Sequence, residues 1–191
     1  MISMNISRAL ALLMLIGGAT LTARPAGATD FRVYSHDIKD GQIQRDQVLS
    51  KAYGLGCEGG NLSPHINWEG MPEGTESFVL TMFDPDANNG KGWTHWVVIN
   101  IPYAVNSLPR GAGGSGAVEA VGAMQTRNDF GQAKYGGPCP PPGQTHHYVV
   151  TLTALNVRTL PVNKDATPAM VAAAMDGYKI AAVSFTATYQ R

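Results

Sequence analysis

Ser77-Phe78-Val79-Leu80-Thr81-Met82-Phe83 runs without a break into Asp84-Pro85-Asp86-Ala87-Asn88-Asn89-Gly90. The first seven residues are apolar on both alternating faces, which marks a central strand covered on two sides. Pro85 lacks the N–H that a ladder needs, so the strand stops and Asp84 holds its carboxylate at a loop mouth. Trp96-Val97-Val98-Ile99-Asn100-Ile101 has the same pattern and ends at Pro102. Further out, Phe31-Arg32-Val33-Tyr34 reads as an opening strand, Tyr148 to Leu155 alternates, and Ala182 to Tyr189 closes the chain as a strand. Glycine and proline punctuate these short runs, and the fold class is mainly β. One helix is signalled by Thr167 as cap, Pro168 at the first position and Gly177 past the end. The stretches 35–65 and 102–147 read as loop or short strands, and loops that long are functional or tied down by their own contacts.

Composition limits what such a chain does. Arg8 followed by Ala9-Leu10-Ala11-Leu12-Leu13-Met14-Leu15-Ile16 and then Ala26-Gly27-Ala28 has the pattern of a secretory signal over residues 1–28. The apolar run is broken by Gly17-Gly18 and too short to span a bilayer comfortably, which favours cleavage over the alternative of an uncleaved anchor, and no stable membrane insertion is expected after cleavage. Residues 29–191 then form a single domain, periplasmic or secreted. That part keeps 12 basic against 14 acidic residues, a net charge of −2. It carries no basic footprint for nucleic acid and no cluster for an anionic membrane surface. Cys57 and Cys139 are the two cysteines. They form either a disulfide, which export favours, or two buried thiols.

Several residues could carry chemistry. His95 opens the strand after the one that ends at Asp84. Consecutive strands are usually neighbours, which puts the two at one edge of the sheet. A carboxylate beside an imidazole favours the protonated ring and fixes its tautomer. In His146-His147-Tyr148 alternation places His146 and Tyr148 on one face with Val150 and Leu152, and His147 on the other. The loop Tyr135-Gly136-Gly137-Pro138-Cys139-Pro140-Pro141-Pro142-Gly143 is suited to a rigid pocket wall with free amides at Gly136 and Gly137. Each feature also has a plain structural reading: a polar turn, a satisfied core histidine, a restrained surface loop. Asp84, Asp86 and Asn88 do not make a calcium loop, because glycine falls at the seventh position and His95 stands where a bidentate Glu is needed. No HxH or HExxH spacing supports a metal, and no Gly-x-Ser-x-Gly elbow supports a serine hydrolase. No cofactor is implied. Asn61-Leu62-Ser63 matches a glycosylation acceptor, but Pro64 follows and the match is read as chance.

Taken together these motifs resemble the phosphatidylethanolamine-binding protein family, in its bacterial Raf-kinase-inhibitor-like branch. One family signature is similar to Asp84-Pro85-Asp86-Ala87 with Gly92-Trp93-Thr94-His95-Trp96. Another resembles Gly136-Gly137-Pro138-Cys139-Pro140-Pro141 with His146-His147-Tyr148. Gly59-Gly60-Asn61-Leu62-Ser63-Pro64 and Asn128-Asp129-Phe130-Gly131 support them, and the likeness covers about residues 31 to 190. It implies a central antiparallel sheet, a smaller second sheet and a few peripheral helices. It also implies an anion pocket for phosphate-like head groups lined by Asp84, Trp93, His95, Pro140, Pro141, His146 and Tyr148. Two departures stand out: Asn88 where the family usually has Pro, and His147 where it usually has Arg.

The expectation is an exported, non-enzymatic protein that binds a small anion such as phosphate or phosphoethanolamine. Two alternatives stay open. One is an interaction module inhibiting a protease, a kinase or another exported enzyme. The other is a hydrolase using Asp84 and His95 as general acid and base, for which no nucleophile or oxyanion hole is evident.

Overall fold

In the computed structural model, which describes residues 30–191, the chain builds two antiparallel sheets. The signal reading of residues 1–28 lies outside the described residues. Strands β1 (Arg32–Tyr34), β2 (Ile66–Glu69) and β5 (Ser107–Leu108) form the smaller sheet. The larger one has the order β6 (Met124–Gln125), β4 (Trp93–Pro102), β3 (Ser77–Asp84), β7 (Thr145–Leu155) and β8 (Lys179–Gln190). The stretch on which the fold turns, β3, is thus the middle strand, paired to β4 on one side and β7 on the other.

Alternation along β3 explains why it holds that position. Phe78, Leu80 and Met82 face one way and pack with Trp96, Tyr148 and Leu152 against Val33, Ile66, Trp68 and Leu108 of the smaller sheet. Val79 faces the other way, where Val97, Ile99 and Leu155 meet Leu160 and Val171. Burial on both faces supplies the larger part of the driving force for a strand with this composition. The second layer does not reach the end of the strand, where Phe83 is partly exposed.

The helix runs over Pro168–Met175, and the Thr167 side chain accepts from the Met170 amide at 3.3 Å. Gly177 does not end it in the expected manner, because its φ is not in the left-handed region. The chain leaves instead through a turn in which the Tyr178 amide donates to the Met175 carbonyl at 3.0 Å. The long stretches contain short helical turns and are tied down by backbone bonds. The segment 45–49 is threaded between two others: the Leu49 amide donates to Pro138 O at 3.0 Å, while Gly59 N–H donates to Leu49 O at 2.9 Å and Asn61 N–H to Val48 O at 2.8 Å. A Cβ on Gly59 would stand 2.2 Å from the Val48 carbonyl oxygen, so only glycine permits this approach. Asn61 is part of the same construction. Its Oδ1 accepts from Gly137 N–H at 2.8 Å and its Nδ2 donates to Tyr135 O at 3.4 Å, so the side chain is spent on joining these segments.

Cys57 and Cys139 are joined in a disulfide with a sequence separation of 82. It links the two segments that flank 45–49. Closing a loop of that length lowers the entropy of the unfolded chain. Replacing both cysteines by alanine is therefore expected to cost roughly 4 kcal/mol. Urea unfolding of the double variant beside the wild type measures this, and coincident midpoints would refute it.

Candidate functional site

Asp84 is the last residue of the central strand and is 2 % exposed. Its Oδ1 accepts the amides of Asp86 and Ala87 at 2.9 and 3.1 Å, the outcome of the turn that Pro85 forces. Its Oδ2 receives Nδ1 of His146 at 2.8 Å. The imidazole that Asp84 orients is therefore that of His146. His95 Nε2 stands 3.9 Å from the same oxygen, too far for a hydrogen bond.

His95 is buried, and its Nδ1 lies 2.7 Å from the carbonyl of Gly136. Only an N–H can face a carbonyl at that distance, so Nδ1 carries a proton. Burial pushes the His95 pKa below the ordinary histidine value, outweighing the Gly136 bond and the Asp84 charge. Asp84 acts as expected in favouring the protonated ring, but at 3.9 Å its effect is smaller than that of desolvation. The other histidine of the floor, His146, turns its Nε2 to the side-chain oxygen of Gln144 at 3.1 Å.

The three residues form the floor of a cavity of about 610 Å³. Trp93, Pro140 and Pro141 are on its walls, as expected, and Phe130, Leu55 and Gln144 join them. Phe130 packs edge-on to Trp93 and His95, with centroids 5.3 and 5.6 Å away. Two expected members are elsewhere. Tyr148 is fully buried behind His95, edge-on at 5.3 Å, and does not reach the cavity. Burial, and after it the Asp84 charge, raises its pKa well above the usual phenol value, and its hydroxyl makes no hydrogen bond of normal geometry. Gly137 gives its N–H to Asn61 and lies so close to segment 47–49 that a Cβ would sit 2.2 Å from Gln47 O. The Gly136 amide is likewise taken, by His95 O at 3.0 Å. The loop is a wall, as expected, but its glycines are there for packing and offer no free amides.

The strand alternation read from the sequence agrees with the geometry: His146 and Tyr148 are buried and His147 is exposed. His147 pairs with Asp86 at the cavity mouth, its backbone N–H at 2.7 Å and its Nδ1 at 2.8 Å from Oδ2. The His147 side-chain bond, followed by its backbone bond, holds the Asp86 carboxyl below its usual range. Asn88 and Asn89 form the rim in left-handed conformations, with φ of 53° and 56°. Proline, whose φ is locked near −65°, could not occupy position 88 in this loop path. Among the described residues, no group of three or more His, Cys, Asp or Glu is arranged to hold a metal ion. No helix among them is long and apolar enough to cross a membrane.

A family profile described as phosphatidylethanolamine-binding protein matches residues 39–190. The chain belongs to this family. The UPF0098 protein YbcL of Escherichia coli (strain K12) is 46 % identical over 168 residues, covering 86 % of this chain and 90 % of the relative. The UPF0098 protein YbhB of the same organism is 40 % identical over 159 residues, covering 83 % and 99 %. The crystal structure of E. coli YbcL, described as a member of the mammalian PEBP family, superposes with a TM-score of 0.78 at 44 % identity, over 85 % of this chain and 99 % of that one. The two-sheet, mainly β architecture is the fold of these neighbours.

The site makes a direct prediction about its anchor. In Asp84→Asn an amide N–H must face either two backbone N–H groups or the His146 ring. Stability is expected to fall by roughly 2–4 kcal/mol. Chemical denaturation reads this out, and an unchanged midpoint would show that the carboxylate is not the anchor.

Proposed function

We propose that this family member is an exported, non-enzymatic binding protein whose cavity takes a small oxyanionic head group, phosphate or phosphoethanolamine-like. The observation that carries the reading is a pair of histidines held in fixed orientation at the floor of an aromatic- and proline-walled cavity. Trp93, on the wall, also holds a buried indole N–H without a partner. Fixed polar groups around a concave site suit a preorganised ligand pocket. The Cys57–Cys139 disulfide fits an oxidising compartment, in keeping with the signal pattern. Leu55, 54 % exposed at the cavity rim, gives a protein partner an apolar contact, so that ligand and partner would be read at one place.

Calorimetric titration of phosphate and phosphoethanolamine into wild type and His146→Ala tests the site. A lost charge-assisted hydrogen bond, about 1.5–3 kcal/mol, corresponds to a roughly ten- to hundredfold weaker affinity in the variant. Equal affinities would remove His146 from the binding site.

A further inference from the structure

The cavity that the proposed function assigns to oxyanions is not lined by Lys or Arg. Two carboxylates, Asp84 and Asp86, are on its wall, and the charge of a fully ionised ligand would be opposed by both. The hydrogen bonds of the floor sharpen the problem. Both oxygens of Asp84 are taken by N–H donors, from Asp86, Ala87 and His146. The one proton that the His95 ring must carry is committed to Gly136 O at 2.7 Å. His95 lines the cavity, and in the ring that carries this one proton Nε2 is a lone pair, 3.9 Å from Asp84 Oδ2. An acceptor-only oxygen placed there meets a lone pair and a carboxylate, whereas an oxygen bearing hydrogen meets an acceptor at hydrogen-bonding range.

We infer that the pocket takes up its oxyanion together with one proton: its ligand class is the singly protonated oxyacid, a phosphate monoester with one P–OH, whose hydroxyl donates to Nε2 of His95. This rests on the oxyanion reading and narrows it. A ligand that arrives fully ionised binds only after one proton from solvent has been placed between its oxygen and Nε2. The groups that face His95 do not remove the need. From β3 it is Asp84 and from β7 His146 and Tyr148. The 126–135 loop contributes Asp129, whose Oδ2 is engaged by the Thr94 amide at 2.6 Å, and Asp86 stands at the mouth. Burial of the ring acts in the same direction, since it lowers the His95 pKa.

Methyl phosphate is the probe, titrated by calorimetry between about pH 5.5 and 8.5 in two buffers of different ionisation heat. The second ionisation of a phosphate monoester lies near pH 6. The protonated ligand therefore becomes scarcer by a factor of ten for each pH step above that value. The wild-type affinity is expected to fall about tenfold per pH unit above pH 7, with about one proton taken up per ligand bound. In His95→Gln, checked for folding by its near-ultraviolet circular dichroism, the side-chain amide can donate to an ionised oxygen, and the pH slope is expected to disappear. A wild-type affinity that stays constant over this range with no proton uptake overturns the inference while leaving the oxyanion site in place. So does a slope of unchanged size in His95→Gln, which would assign the proton to another group. Failure of methyl phosphate to bind wild type at any pH overturns the oxyanion reading itself.

Discussion

The carboxylate of Asp84 holds the working end of this molecule together. It accepts from two amides of the turn beyond its own strand and from the His146 ring on the neighbouring strand. A buried carboxylate is tolerated only when such donors replace its water. Each of these bonds therefore fixes more than itself. The amide bonds set where the 85–90 loop leaves the sheet, and the imidazole bond sets the orientation of the His146 ring. Because Asp84 ends the middle strand, with β4 and β7 paired on either side, all three elements are referenced to one point.

Backbone packing away from the sheet is the other support. Segment 45–49 lies between 59–62 and 137–138, and both contacts are possible only because Gly59 and Gly137 have no side chain. The disulfide joins the two outer segments. The guanidinium of Arg191 adds to the same region by donating to Leu55 O at 3.1 Å and Gly56 O at 2.8 Å. The cavity wall formed by Cys139, Pro140 and Pro141 thus gains its rigidity from covalent and backbone constraints as well as from its prolines.

What the sequence showed plainly was whatever depends on local periodicity. Two-sided apolarity identified β3 as central, alternation separated His146 from His147, and Pro85 placed Asp84 at a loop mouth. What it could not show depends on tertiary partners. Asp84 and His95 are neighbours along the edge, but the Asp84 oxygen nearest His95 is bound by His146, 62 residues further on. The lowered pKa of His95 follows from burial, which neither the motif nor the spacing contains. Gly136 and Gly137 looked like donors because their partners, His95 O and Asn61 Oδ1, come from remote segments. Phe130 belongs to a supporting stretch of the family pattern, and nothing in its spacing links it to His95. Gln144 stands two residues before His146, so alternation extended past the start of the strand would have found it.

Floor and rim of the cavity are built by different physics. Asp84, His95 and His146 are on strand ends, buried, and bound to backbone or to one another, so their geometry is paid for by the sheet. The rim comes from loops: Leu55 from a short turn, Asn88 and Asn89 from a left-handed stretch, and Gln144 from the segment before β7. Loop positions can change without disturbing the core, whereas a change at the floor must also satisfy the buried Asp84 carboxylate. A change at the floor is therefore constrained by the sheet and by the Asp84 carboxylate, whereas a change at the rim is not. Both departures from the family pattern fall outside the floor: Asn88 stands on the rim and His147 pairs with Asp86 at the mouth.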